Sequence, residues 1–406
     1  MLVLAHSAAA FLAVAGTVRV LGWGLHEPGN ALAFGALIAV GELARWRAAP
    51  GEREPAPVGA AGALAYALLG ECGGQPTSHG ALHVVMVVSV ATLAGALPHL
   101  SRGPGPVLDH VVRRVLTAGF AAVCFQPLYA SGGLDHLHPG AGYALFLLLL
   151  LILIALCDAV LGAVLLWART GYPYGPLLRE ELRAMAGIGS AVCATGTVIA
   201  LAVAAAGLWA LPVFSVPLLL TQLSFRRYEG VRATYRQTIA SLARATDIAG
   251  YTPSGHAQRV AALSTAVGRE MGLTRAELTV LEYAALMHDI GQLSLVDPVP
   301  AGATALLPLA EQRRIALLGG AVVRQTGVPP TVAVVVERQA DPYREQPLPA
   351  RIVRTANAYD DLAGGGCTGA GAGALERLRR ATGRDFQPEV VECLARVLAR
   401  GGPPSG

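Results

Sequence analysis

The pattern of apolar and polar positions changes character once along the chain. Up to residue 224 it consists of long apolar runs broken by short loops, at roughly 2–21, 29–46, 56–72, 80–98, 113–130, 143–168, 185–207 and 209–225. From Ser224 onward Arg and Glu become frequent and the apolar residues turn periodic. A spanning helix needs ~20 apolar residues, and most of the runs qualify. The first run has no basic n-region and no clear cleavage site, so it reads as a retained helix. The pattern therefore predicts an all-α chain. A bundle of about eight transmembrane helices occupies 1–224, a connecting helix 225–249, an all-helical soluble domain 250–400, and a frayed tail 401–406. The last run is short and contains Pro212 and Pro217, which leaves about six spans as the alternative.

Arginine placement orients the bundle. Arg45, Arg47 and Arg53 follow the second run, Arg102, Arg113 and Arg114 the fourth, and Arg169, Arg179 and Arg183 the sixth. Arg226, Arg227, Arg232 and Arg236 follow the last, and only Arg19 breaks the alternation. The positive-inside rule then predicts a multi-pass protein of the cell inner membrane with both termini in the cytoplasm and the lipid bilayer as a partner. Asp158, in "LILIALCDAVLGAVLLWAR", is an ionisable group inside an apolar helix with no partner visible in the sequence. It is either a ligand or ion pathway residue or a bundle-facing residue bonded to a neighbouring hydroxyl. His83 and Gln126 read as core packing.

The soluble half has helical periodicity. Tyr235, Ile239, Leu242 and Ala249 form a stripe over 225–249, which either packs on its own domain or pairs with a second copy in a homodimer. Pro253 and Ser254 mark a helix start, and Val260, Leu263, Val267 and Met271 make its apolar face. His256 falls in the first turn, where the helix N-terminus disfavours the imidazolium. Thr274 and Glu277 have capping-box spacing ahead of a second helix that ends at His288 and Asp289, and Gly291 suits its stop.

Composition sharpens this division. The chain has 406 residues, 53% hydrophobic and only 14% charged, against the ~25% charge of an ordinary soluble domain. Every basic residue is Arg, and the net charge of +4 is too small to suggest a nucleic-acid partner. The six cysteines form no CxxC pair, so no disulfide framework or zinc motif is expected.

Two imidazoles and a carboxylate, His256, His288 and Asp289, suit a divalent transition metal. Four segments, "DIAGYTPSGHAQRVAALSTAVGREMGL", "LEYAALMHDIG", "LPARIVRTANAYDDL" and "FQPEVVECLARVL", occur in an order that resembles the HD superfamily of metal-dependent phosphohydrolases, specifically its HD-GYP branch, over about residues 235–398. That resemblance implies a helical domain that holds two or three metal ions and hydrolyses cyclic di-GMP. It also implies that His288 and Asp289 are catalytic, and that His256, His288 and Asp289 are metal ligands, with Asn357 as a weaker fourth through its amide oxygen.

This chain departs from the pattern elsewhere. Gln292 stands where a Lys is usual. Leu318, Gly319 and Gly320 stand where a helical His falls, Val335 and Val336 replace paired His, and the GYP loop is reduced to "DPYREQPLP". Asn357 replaces the final Asp, and His288 is the last histidine in the chain. Asp360 and Asp361, one turn further on, read best as surface carboxylates, the alternative being that one of them substitutes for that Asp.

The expectation is one weakly held divalent ion (iron, manganese or zinc) in a bacterial signalling protein. Its output domain would be related to cyclic di-GMP phosphodiesterases but degenerate, a pseudoenzyme with weak or no hydrolysis. It would bind a cyclic dinucleotide or a protein partner. The alternatives are an active one-metal phosphohydrolase of a cyclic nucleotide phosphoester and, from Asp158 alone, a transporter with a regulatory domain.

Overall fold

The computed structural model describes residues 1–45, 56–102, 104–134, 136–137, 140–297, 299, 302–364 and 370–400. Its contacts divide into two compact units, Met1–Gly230 and Val231–Gly406. The first contains α1 (Leu2–Trp23), α2 (Pro28–Leu43), α3 (Pro57–Ala67), α4 (Ala81–Ala96), α5 (Pro104–Ala130), α6 (Ala141–Thr170), α7 (Tyr174–Ala184), α8 (Ser190–Ala206) and the start of α9 (Ala210–Ile248). A two-stranded hairpin, β1 (Glu71–Cys72) and β2 (Gln75–Pro76), follows α3.

Among the described residues, five helical stretches are long and apolar enough to cross a membrane: Leu2–Trp23, Ala81–His99, Val107–Ala130, Ala141–Thr170 and Ser190–Ser224. The expected eight are thus not all clearly present as spanning helices. The second and third apolar runs form helices of 16 and 11 residues. These span about 24 and 16 Å, short of a hydrocarbon core of about 30 Å. The third run continues into the hairpin, where Gly73 and Gly74 take the left-handed conformation (φ 59° and 77°) that turns the chain. The stretch 190–224 is interrupted by a 3₁₀ turn at Gly207–Trp209.

Charges inside this unit are paired, chiefly on one face of α5. Arg113 donates to both oxygens of Asp158, at 2.9 and 2.7 Å, and to Glu181 at 2.6 Å, while the Thr117 hydroxyl donates to Asp158 at 3.1 Å. Buried Glu42 meets His110 at 2.8 Å and Arg114 at 3.2 Å. Arg113 and Arg114 thus lie within a helix rather than in a loop. Asp158 has a guanidinium partner where the sequence showed none.

The second unit is built from the end of α9 with α10 (His256–Glu270), α11 (Arg275–Met287), α12 (Leu309–Gln325), α13 (Pro330–Arg338), α14 (Leu348–Ala363), α15 (Ala370–Arg380) and α16 (Pro388–Ala399). One core joins them, with Ile239 and Ala243 of α9, Val260 and Val267 of α10, Leu281 and Met287 of α11, Val335 and Val336 of α13, Ile352 of α14 and Leu394 of α16. Ile239 therefore packs on its own domain, whereas Leu242 stays exposed. The capping box forms as its spacing predicts, with the Thr274 hydroxyl receiving the Glu277 N–H and the Glu277 carboxylate receiving the Thr274 N–H. Helix α10 starts two residues later than expected, after Gly255 at φ 74°. The Gly- and Ala-rich connection at 363–373 includes the start of α15, and both its centre and the expected frayed tail at 401–406 lie outside the described residues.

Gly291 does not stop a helix as a left-handed cap. It lies in a 3₁₀ turn (Ile290–Ser294) that continues from α11 and presses on α12. A Cβ there would run into the Ile315 carbonyl and approach the Gly319 nitrogen to 2.7 Å. Replacing Gly291 by Ala is expected to cost about 1–3 kcal/mol of stability, as overpacking against backbone does. Equal denaturation midpoints for Gly291→Ala and the native chain would contradict this close approach.

Candidate metal centre

His256 is the first helical residue of α10, His288 follows the last residue of α11, and Asp289 comes next as the chain tightens into the 3₁₀ turn. Packing of these elements brings three donor atoms together in the core. His256 Nε2 and His288 Nε2 are 3.3 Å apart, and Asp289 Oδ2 lies 3.4 Å from each. A tetrahedron of ligands about an ion at about 2.05 Å has edges of about 3.35 Å, so the triangle has the dimensions of one tetrahedral face. All three residues are buried, with His256 at 1% exposure, His288 at 0% and Asp289 at 4%.

The outer hydrogen bonds aim these atoms inward. His288 Nδ1 lies 2.8 Å from the Ala285 carbonyl, which can only accept, so Nδ1 carries the proton and Nε2 offers its lone pair. His256 Nδ1 donates to Asp360 Oδ2 at 2.8 Å, which frees its Nε2 in the same way. Arg259 grips Asp360 with two bonds of 2.9 Å. Asp289 Oδ1 accepts from the Thr304 hydroxyl at 3.1 Å, but Oδ2, the oxygen in the triangle, has no hydrogen-bond partner. An orphaned, buried carboxylate oxygen facing two imidazole nitrogens is a donor set that fits a divalent ion.

Asn357 reaches the cluster indirectly. Its Nδ2 donates to Thr304 Oγ1 at 3.1 Å, which links it to Asp289, and its Oδ1 is buried without a partner. Asp360 is buried, and the side chain of half-buried Asp361 is only 3% exposed, so neither is a surface carboxylate. Asp361 Oδ2 accepts the Ala305 N–H at 3.0 Å. Burial and the nearby Asp289 push the Asp361 carboxyl up to about 7. Asp360 and Arg259 are the supporting residues the sequence reading missed. Their signal was helical spacing, since each lies three residues beyond a site residue, Asn357 and His256 respectively.

Electrostatics differ from expectation at His256. Burial disfavours its imidazolium, but the Asp289 and Asp360 carboxylates outweigh both burial and the helix N-terminus and raise its pKa to about 10. For Asp289, burial favours the neutral acid, yet His288 and His256 hold its pKa below the ordinary value. Burial keeps His288 neutral. Without an ion, a proton on His256 therefore balances the buried carboxylate.

The positions where further histidines were expected are filled differently. Val335 and Val336 are core residues, and Gly319 and Gly320 are buried. A Cβ on Gly319 would meet Val336 Cγ1 at 3.2 Å. Gln292 is fully buried, with neither amide atom hydrogen-bonded. The shortened loop is strapped down. Gln346 donates to the Gln339 and Asp341 carbonyls at 2.8 and 2.6 Å, and Arg354 donates to that of Asp341 at 2.7 Å. Gln339 in turn donates to the His288 carbonyl at 2.8 Å.

Two outcomes follow from this geometry. An ion must displace the His256 proton, so apparent metal affinity should fall about tenfold for each pH unit below the His256 pKa of about 10. Calorimetry in buffers of different ionisation enthalpy should show proton release on binding at about pH 8, and binding without it would contradict the account. Asp360→Ala should weaken metal binding by about 10–100-fold while the helical content is kept. Unchanged affinity would mean that Asp360 does not position His256.

Residues 254–362 match the family model described as the HD domain. A search of curated proteins finds no match to the chain. The matched segment contains all three donor residues together with Arg259, Thr304, Asn357, Asp360 and Asp361. HD domains bind divalent metal, as the donor set would require. Residues 254–362, within the second unit, are therefore similar to an HD domain, which supports a place in the HD superfamily.

Proposed function

We propose that this protein is a membrane-embedded signalling protein whose HD domain keeps one metal centre and works as an output domain with weak or no hydrolysis. The carrying observation is the contrast within the site. Three donors are spaced for a single ion, while positions expected to complete a larger centre hold apolar side chains or close-packed glycine. An ion held by His256, His288 and Asp289 would supply Lewis-acid chemistry toward a phosphoester. The chain's own residues hold it out of reach. The donors are shut off from solvent, and Gln339 and Gln346 pin the neighbouring loop. This closure favours signalling through a bound partner, a protein or a cyclic dinucleotide, over turnover. The long apolar helices of the first unit support a membrane location, and the arginine pattern favours the inner membrane with cytoplasmic termini.

A second reading is a one-metal phosphohydrolase related to the HD-GYP branch. It is favoured by the unpartnered Asn357 Oδ1, a polar atom left beside the cluster as a weak fourth ligand.

Metal content and hydrolysis measured on the full chain separate the two. The proposal predicts one HD-bound ion, lost in His288→Ala, and cyclic di-GMP turnover by the native chain far below the ~1 s⁻¹ at which ordinary enzymes begin. His288-dependent turnover at about 1 s⁻¹ or faster would overturn it in favour of the second reading.

A further inference from the structure

A second group of charges gathers outside the metal donor set, around the shortened loop at 341–346. Guanidiniums reach it from three helices and from the loop itself. Arg313 of α12 lies 3.8 Å from Asp341 Oδ1, and Arg338 of α13 lies 3.2 Å from Asp341 Oδ2. Arg338 also donates to the Glu345 carbonyl. Arg354 of α14 donates to the Asp341 carbonyl at 2.7 Å. One turn earlier, Arg351 donates to the carbonyls of Gln346 at 2.8 Å and Arg344 at 3.4 Å, and to Gln387 Oε1 at 3.0 Å.

Most of these bonds end on neutral acceptors, so they leave the charges standing. Arg351 and Arg354 donate only to carbonyls and one side-chain amide. Arg313 makes no hydrogen bond, because 3.8 Å is too long for one. Asp341 is shared between Arg313 and Arg338. Asp385 also acts on Arg354, but Arg384 bonds it at 2.9 Å. The remaining carboxylates are exposed Glu345 and Glu389, which acts on Arg351. With Arg344 of the loop, five positive charges therefore face three negative ones, an excess of two. Burial and Arg313 outweigh the nearby carboxylates and pull the Arg354 pKa below its ordinary value. A cation in that position gains from an added anion.

The group is open to a solute. The Arg313 and Arg338 side chains are 45% and 43% exposed, and Arg344 is exposed. Guanidinium forks match the oxygens of phosphate. Aromatic rings stand among them. Arg344 lies over the Tyr343 ring at 5.8 Å, and Arg354 lies 5.9 Å from the centre of Phe386. Phosphate-matching cations beside planar rings suit a ligand that has both phosphates and a base, since bases stack on aromatic side chains.

We propose that Arg313, Arg338, Arg344, Arg351 and Arg354 form a binding site for a nucleotide carrying at least two phosphate groups, with Tyr343 against its base. The excess charge matches two phosphates. The site needs no metal ion, so it stands apart from the HD centre and does not rest on the number of ions held there.

The test uses the full chain in lipid nanodiscs with His288→Ala as the background, so that phosphate held by an HD-bound ion contributes nothing. Radiolabelled GTP and cyclic di-GMP are the probes, read by equilibrium dialysis. At least one should bind saturably at one equivalent, with an affinity that falls as salt is raised. Adding Arg313→Ala should weaken binding at least about tenfold. That substitution removes no hydrogen bond, so the fold is not at stake. Arg379→Ala, which breaks a pair with Glu392 on α16, should leave binding unchanged. Binding of neither probe below about 1 mM would overturn the proposal. So would equal affinity in Arg313→Ala, or an equal loss in Arg379→Ala, which would reduce the effect to general surface charge. Displacement by inorganic pyrophosphate as readily as by unlabelled nucleotide would overturn the role of the base.

Discussion

A carboxylate oxygen buried without a partner is the constraint around which the HD domain is arranged. Asp289 is 4% exposed, and its Oδ2 has no hydrogen bond. Left alone, a buried charge of this kind would take up a proton. Two imidazoles prevent that, and each is held by a bond on its far side, His288 by the Ala285 carbonyl and His256 by Asp360. Arg259 then balances Asp360. The result is a layered arrangement in which every charge has a named counterpart and one central place remains for a proton or an ion. Helix packing gives the layers their precision. The two histidines begin α10 and end α11, so the crossing of those helices sets the distance between the nitrogens.

The same physics governs the membrane unit. Asp158 would be costly inside an apolar helix, but Arg113 supplies a bidentate partner from α5 and Thr117 adds a hydroxyl. Glu42, fully buried, is met by His110 and Arg114 from that helix. These groups are fully paired, which identifies them with packing.

Much of this was legible in the sequence, for reasons that differ by element. The capping box and the helix carrying His288 could be read because local spacing determines them. The cluster of His256, His288 and Asp289 could be anticipated because a recognisable pattern of segments surrounds it. The number of spans could not, because the run at 56–72 carries no charge before Glu71 while the chain leaves the helix at Leu68 and turns back through glycine. The partner of Asp158 lies 45 residues away, beyond any periodicity. Asp360 looked like a surface carboxylate because burial of a charge depends on a partner, and Arg259 is brought to it by tertiary packing across 101 residues. Gly291 was misread for a related reason, since a close backbone approach leaves the same glycine signature as a helix stop.

The central claim is a single-ion centre with two imidazoles and one carboxylate. X-ray absorption at the metal edge, on the full chain loaded with one equivalent of manganese or zinc, tests it most directly. Comparison with the His288→Ala chain isolates the HD signal. The account predicts a first shell of nitrogen and oxygen, multiple scattering from two imidazoles, and no metal–metal vector. A metal–metal distance of about 3.5–4 Å, as in two-metal phosphohydrolases, or a signal unaffected by His288→Ala, would contradict it.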